Sequence, residues 1–274
     1  MNNSIDLFAK ITSCQYFKNN FTSLEIIKES SSAISGKSYF TKLKKKCFLK
    51  VKNITDNDTE IMTIYTILKK NNMNKYVNKI YDITIECNLV FIAIEFIEGT
   101  NLVQYLDNNE IDDKSLRNIL IELIEGLDFI HSLDIIHGDI KLENIMIHNE
   151  HVKIIDFDLS KLCINKKYIQ SSILSGTQNY FAPETYDLCI YSKMSDVWSL
   201  GIVLYKLITY EFPYKFKLNR LYHMRIANNF KFLDIDKLKS HENRYGKDII
   251  DTVINMLQFK DIDRKMVLNN NNDK

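Results

Sequence analysis

An α+β fold in two lobes, small and β-rich first, larger and mainly helical second, is what this sequence predicts. Three observations carry that reading. Between residues 20 and 97 short apolar or alternating runs dominate (LEII, SYFT, CFLKV, LVFIAIEF). After EGTN (98–101) long segments with helical periodicity take over. A length of 274 residues accommodates one large domain or two lobes with a sizeable core. The expected organisation is an N-terminal extension (1–19), a small lobe (20–97), a large lobe (98–266) and a frayed tail (267–274).

In the small lobe one helix interrupts the strands. DTEIMTIYTILKK places Ile61, Ile64, Tyr65 and Leu68 on one face, with Asp58 and Glu60 in the first turn, where they complement the helix dipole. In the large lobe SLRNILIELIEGLDFIHSL forms a strong amphipathic helix with Leu116, Ile119, Leu120, Leu123, Leu127 and Ile130 as its apolar face. A β-hairpin follows, then a polar segment over 160–180. Two helical stretches, DVWSLGIVLYKLITY and KDIIDTVINMLQF, complete the lobe.

Composition narrows the function classes. The formal net charge is +1, which gives no bulk electrostatic case for nucleic acid or a membrane surface as partner. Five cysteines, odd in number and never in CxxC spacing, argue against a disulfide framework or a zinc site and suit a reducing, intracellular (cytoplasmic) compartment. LVFIAIEFI and LGIVLY are far short of a membrane span, and the N-terminus lacks a signal-peptide pattern.

The chemistry concentrates in HGDIKLENIMIHNEHVKIIDFD (137–158). NIMI and VKII read as antiparallel strands turning around His148 to His151, and symmetric pairing is expected to set Asn144 opposite Asp156. Asp139, in the loop entering the first strand, converges on the same end. Two carboxylates and an amide oxygen gathered there suit a hard divalent cation, because magnesium takes oxygen ligands and keeps waters that phosphate replaces.

HGDIKLEN resembles the catalytic loop HRDxKxxN of eukaryotic-type serine/threonine protein kinases, and DFD (156–158) resembles their DFG motif. GTQNYFAPE (176–184) and DVWSLG (196–201) match GTxxYxAPE and DxWxxG, in the family's order. The resemblance implies a bilobal kinase-like fold with one αC helix, a protein substrate, and ATP and Mg2+ as cofactors. By resemblance, Asp139 orients the substrate hydroxyl and accepts its proton, Lys141 neutralises the transferring phosphate, and Thr177 braces both. Asn144 and Asp156 hold the metal. Lys141 and the GTxxYxAPE form point to the serine/threonine class, and Arg264 is similar to the arginine that pairs with Glu184.

In the small lobe CFLK (47–50) resembles strand β3 of the family, which makes Lys50 the nucleotide lysine. Cys47, Leu49 and Val51 share one strand face and Phe48, Lys50 and Lys52 the other, with Lys52 as the alternative. Glu60 is the expected ion-pair partner. IEFIEG (94–99) resembles the hinge, with Ile94 as gatekeeper and the backbone of Glu95 and Ile97 facing adenine. Met146 forms the floor of the slot.

Four departures stand out. The glycine-rich loop retains only Gly36, in SSSAISGKSYF. Phe48 replaces a small residue above adenine. Gly138 replaces the arginine that grips an activation-loop phosphate, which implies activation without one. Asp158 replaces the DFG glycine. Two other readings stand beside an active protein kinase: a pseudokinase scaffold, supported by Phe48 and the serine-rich loop, and a small-molecule phosphotransferase, which HGD and its asparagine also resemble.

Overall fold

A computed structural model of the chain describes residues 2–55, 58–214 and 233–266. The expected tail (267–274) lies outside the described residues. Two compact units result: Met1–Asn74 with Asn78–Glu98, and Lys75–Val77 with Gly99–Lys274.

The smaller unit is built on a five-stranded antiparallel sheet in the order β1-β2-β3-β5-β4, with β1 Phe21–Glu29, β2 Ala33–Phe40, β3 Lys45–Asn53, β4 Ile80–Glu86 and β5 Leu89–Glu95. β3 alternates as its sequence predicts: Cys47, Leu49 and Val51 are buried, while Phe48, Lys50 and Lys52 are half-buried on the opposite face. Central β5 is buried along its apolar run. Helix α3 spans Asp58–Lys70 and buries Ile64, Tyr65 and Leu68, with Asp58 and Glu60 in its first turn.

The first nineteen residues, expected only as an extension, form helices α1 (Asn2–Ser13) and α2 (Gln15–Asn20). Leu7, Ile11, Cys14 and Phe17 join Phe21, Phe40, Leu49 and Phe91 in one core. Burying such side chains is worth about 1.5–3 kcal/mol each. Strand β4 was also unanticipated.

In the larger unit, α4 (Leu102–Asn108) opens with a capping box, Asn101 accepting from the backbone of Gln104. The amphipathic stretch becomes α5 (Asp113–Ser132), capped by Asp112. Two short strands, β6 (Thr100–Asn101) and β7 (Ile135–Ile136), precede the hairpin of β8 (Ile145–His148) and β9 (His151–Ile154). Strands β10 (Lys161–Leu162), β11 (Ile169–Gln170) and β12 (Ile190–Tyr191) are equally short; β10 pairs with β7, and β11 with β12.

Helix α6 (Pro183–Leu188) precedes α7 (Lys193–Thr209), which is buried almost all round, as its continuous apolar sequence requires. Two short helices, α8 (Ile235–Lys239) and α9 (Glu242–Tyr245), lead to α10 (Lys247–Met256). At Gly201 of α7 an added Cβ would lie 2.9 Å from Leu257, so glycine permits the close approach of the segment after α10. Among the described residues no helix is long and apolar enough to cross a membrane.

Candidate active site

The hairpin register differs from the expected one by a residue. Ile145 pairs with Ile154 and His148 with His151, so Asn144 falls opposite Ile155, whose N–H donates to the Asn144 carbonyl at 2.9 Å. Asn144 sits in a 3-10 turn (Leu142–Asn144) just before β8. Asp156 comes one residue later with a left-handed backbone, φ +68°. Symmetry about the turn alone fixes the 144–155 pairing. The left-handed backbone at Asp156 takes the chain out of the ladder.

Asp139 is the centre of a dense polar cluster. Its Oδ1 accepts from Thr177 Oγ1 at 2.8 Å, and its Oδ2 lies 2.6 Å from Lys141 Nζ and accepts from Asn144 Nδ2 at 3.0 Å. Lys141 also donates to Thr177 Oγ1 at 2.9 Å. Asn144 Nδ2 reaches the Asp139 carbonyl as well, at 2.9 Å, which commits the amide nitrogen and leaves the amide oxygen as the group a cation would take. Gly176 lies against this cluster with φ +118°; a Cβ there would come 2.8 Å from the Phe181 ring and 3.0 Å from the Gly138 carbonyl.

The loop beneath is held by buried Asp196 at the start of α7. Its Oδ2 accepts from the His137 N–H at 2.7 Å and contacts His131 Nε2 at 2.9 Å, while Oδ1 accepts from the Gly138 N–H at 2.9 Å. His137 is fully buried, and its Nε2 lies 3.0 Å from the Ile155 carbonyl, an acceptor only, so that nitrogen carries the proton. Nδ1 then accepts from the Asp139 N–H at 3.3 Å. Burial pulls the His137 pKa down, consistent with a neutral ring. The ring packs on Phe157 with centroids 5.0 Å apart.

Glu184 and Arg264 form the expected pair, bidentate at 2.6 and 2.8 Å. The buried guanidinium also donates to the carbonyls of Met194, Gln258 and Phe259 and stacks 5.1 Å from the Trp198 ring. Asp158 is not among the residues with positive φ, so its backbone does not require the glycine it replaces. Gly138 does have positive φ, +77°, and a Cβ there would lie 2.8 Å from the Leu159 carbonyl. Met146 is half-buried in β8, paired with Asn101 and Lys153.

In the smaller unit Lys50 is mid-strand, paired with Ser35 and Ile92, and its Nζ lies 3.5 Å from the buried Tyr65 hydroxyl on α3. Lys52 is ion-paired to buried Asp58, whose other oxygen accepts from the Thr55 N–H and hydroxyl at 2.7 and 2.9 Å. Lys52 therefore closes the β3–α3 connection, and no sequence signal marks the Tyr65 hydroxyl near Lys50. Glu60 is exposed in the first turn of α3.

Ile94 is buried in β5 between Phe48 and Ile80; Glu95 ends that strand, its N–H donating to the Lys79 carbonyl at 2.8 Å, and Ile97 follows outside any helix or strand. Gly36 lies within β2 rather than in the turn. A Cβ there would collide with the Glu25 carbonyl oxygen beside the bulge of β1. The turn itself is serine-built: Ser30 Oγ accepts from the backbone N–H groups of Ser32 and Ala33.

Comparison with known proteins agrees with this geometry. The family described as protein kinase domain matches residues 35–270. The chain is 33% identical over 199 residues to Mitogen-activated protein kinase kinase 1 of Arabidopsis thaliana, covering 70% of this chain and 56% of the relative. It is 31% identical over 187 residues to Calcium-dependent protein kinase 6 of Plasmodium berghei (strain Anka), covering 61% and 12%. It is 31% identical over 137 residues to Serine/threonine-protein kinase PrkC of Bacillus subtilis (strain 168), covering 49% and 21%. The chain thus spans about half or less of the length of these relatives. With a family match running through both units and over the clustered loop residues, this chain belongs to the protein kinase domain family.

Proposed function

We propose that the chain is a serine/threonine protein kinase that transfers the γ-phosphate of ATP to hydroxyl groups of a protein substrate, with Mg2+ as cofactor. The observation that carries this reading is the Asp139 carboxylate, held from three sides by Thr177, Lys141 and Asn144. A carboxylate so fixed is suited to orient a substrate hydroxyl and take its proton. Lys141, braced by Thr177, supplies positive charge where charge develops on the transferring group.

The donor set of Asn144 and Asp156, an amide oxygen and a carboxylate, fits a hard cation, and these two residues would hold magnesium. When bound, it neutralises phosphate charge. In the smaller unit Lys50, mid-strand in β3, is the lysine for the nucleotide phosphates, while Lys52 is ion-paired to Asp58. Glu60 is its proposed ion-pair partner. Gly36 and the serine turn cover the phosphates, Ile94 is the gatekeeper, the Glu95 and Ile97 backbone takes adenine, and Met146 is the proposed adenine-floor residue.

Activation without a phosphate on the segment after DFD is part of this reading. Neutral contacts already anchor that segment. β11 pairs with β12, and the Tyr191 hydroxyl accepts from the Ser175 N–H and donates to its carbonyl, both at 2.7 Å.

The test is labelled-ATP transfer to generic acceptor proteins with magnesium. Wild type should label them, and Asp139→Asn and Asp156→Asn should each lose about 10²–10⁴-fold in turnover. Equal labelling by all three proteins would overturn the reading. A scaffold reading draws on Phe48, which shares the Lys50 face of β3. Absence of thermal stabilisation by Mg-ATP would favour it, since a binder gains about 2.7 kcal/mol at a hundredfold excess over Kd.

A further inference from the structure

Outside the clustered loop, the fold brings Cys14 together with two ligand-type side chains some seventy residues further along the chain, Glu86 and Cys87. Cys14 lies at the break between α1 and α2, with an extended backbone and a fully buried side chain. Cys87, with Asn88, forms the two-residue turn between β4 and β5; both have positive φ, +52° and +60°, as such hairpin turns require. Glu86 ends β4 immediately before that turn. Both sulfurs and a Glu86 carboxylate oxygen lie within 4.8 Å of one another. The carboxylate is oriented from outside the cluster, because Glu86 Oε2 accepts from the Tyr16 N–H at 2.7 Å.

We propose that Cys14, Glu86 and Cys87 form a three-ligand site for a thiophilic divalent cation, zinc in its chemistry, which ties the N-terminal helix pair to the β4–β5 turn. Two sulfurs and one carboxylate select zinc over magnesium, because thiolates are soft and polarisable. Ligand atoms around a tetrahedral zinc stand about 3.5–3.8 Å apart, given bonds of about 2.0–2.3 Å, so the cluster closes on an ion by about 1 Å of side-chain movement. Exposed Cys87 provides the entry path, and the fourth position takes water.

The absence of CxxC spacing does not bear on this site, since its two cysteines come from different layers of the smaller unit. Burial and the neighbouring Cys87 thiol push the Cys14 thiol up to about 12, with Glu86 adding to the rise and Lys10 opposing it. Thiolate ligation of zinc releases protons in general, so zinc affinity is expected to climb with pH. The ion holds α1 and α2 on the sheet, so its binding energy adds to folding.

The experiment uses the full chain, reduced and freed of metal, titrated with Zn2+ against a chromophoric chelator and separately with Co2+ as a spectroscopic probe. The expected result is one equivalent bound, a thiolate-to-cobalt charge-transfer absorption, and a melting temperature raised by zinc. Cys87→Ser, at an exposed turn, should keep the fold, lose the absorption and bind zinc at least about a hundredfold more weakly; Glu86→Gln should weaken it about tenfold. Three results would overturn the proposal: no charge-transfer band, zinc affinity unchanged in Cys87→Ser, or a reduced protein that ignores zinc while hydroperoxide converts the two thiols to a disulfide.

Discussion

The loop of the larger unit around Asp139 and the sheet of the smaller unit around Lys50 use their polar groups differently. Around Asp139 almost every polar atom has a named partner within the loop or directly beneath it, and several have two. In the smaller unit the ion pair of Lys52 with buried Asp58 joins β3 to α3. The one glycine left of the phosphate loop is required by its own neighbour strand. Phosphoryl transfer depends mainly on positioning, so the reacting end must be rigid, whereas nucleotide grip can be met by backbone groups that many residues supply. Residue identity is therefore constrained more tightly in the first region than in the second.

Asp196→Ala tests the rigid side with the largest expected effect. It strands the buried His137 N–H, the half-buried Gly138 N–H and the buried His131 ring together. At about 1–3 kcal/mol for each unsatisfied buried donor, the loss should reach about 3–5 kcal/mol. Chemical denaturation would measure it, and activity should fall with it. A loss under about 1 kcal/mol would mean that the loop does not hang from this carboxylate.

Gly36→Ala probes the other side. The added methyl meets backbone, which moves less readily than a side chain, so about 1–3 kcal/mol of stability should go, mostly by displacing β1. If stability holds and only the KM for ATP rises, Gly36 serves phosphate alone and has no packing role beside it. Phe48→Ala should follow with a smaller effect of the opposite sign: about a tenfold lower KM for ATP with turnover unchanged, as a crowding ring leaves the Lys50 face of β3.

Much of this contrast was legible in the sequence, and for physical reasons. Helix α3 buries Ile64, Tyr65 and Leu68 of its expected apolar face, with Ile61 half-buried, and β3 alternates with Cys47, Leu49 and Val51 inward, because both periodicities are local. The Glu184–Arg264 pair followed from motif resemblance. What escaped was non-local. Helices α1 and α2 read only as an N-terminal extension because their buried face is completed by Phe40, Leu49 and Phe91 of distant strands. The left-handed backbone at Asp156 is one that no periodicity marks. Asp58 and Tyr65 became partners of neighbouring lysines only once β3 and α3 were folded together.

Acid should separate the two regions with the smallest effect. In the larger unit His137 has its pKa lowered by burial, against the opposing pull of Asp196, Asp156 and Asp139. The unfolded chain then binds a proton that the folded one refuses, so this contribution is intact above the unfolded value of about 6.5 and is lost as pH falls below it. The limiting slope is about 1.4 kcal/mol per pH unit. In the smaller unit the shifted acids are Asp58 and Asp82. Desolvation opposes the change, but Lys52 and Thr55 around Asp58, and Lys69 and Tyr16 around Asp82, hold both pKa values down. For a lowered carboxylate, stability is present above the unfolded value of about 3.9 and is lost only as pH falls below it. Between pH 7 and 5.5, amide hydrogen exchange should therefore accelerate around His137 and Gly138 while β3 and α3 keep their protection. Parallel acceleration in both units would show that the loop carries no separate proton-linked weakness, and would remove the electrostatic half of the contrast.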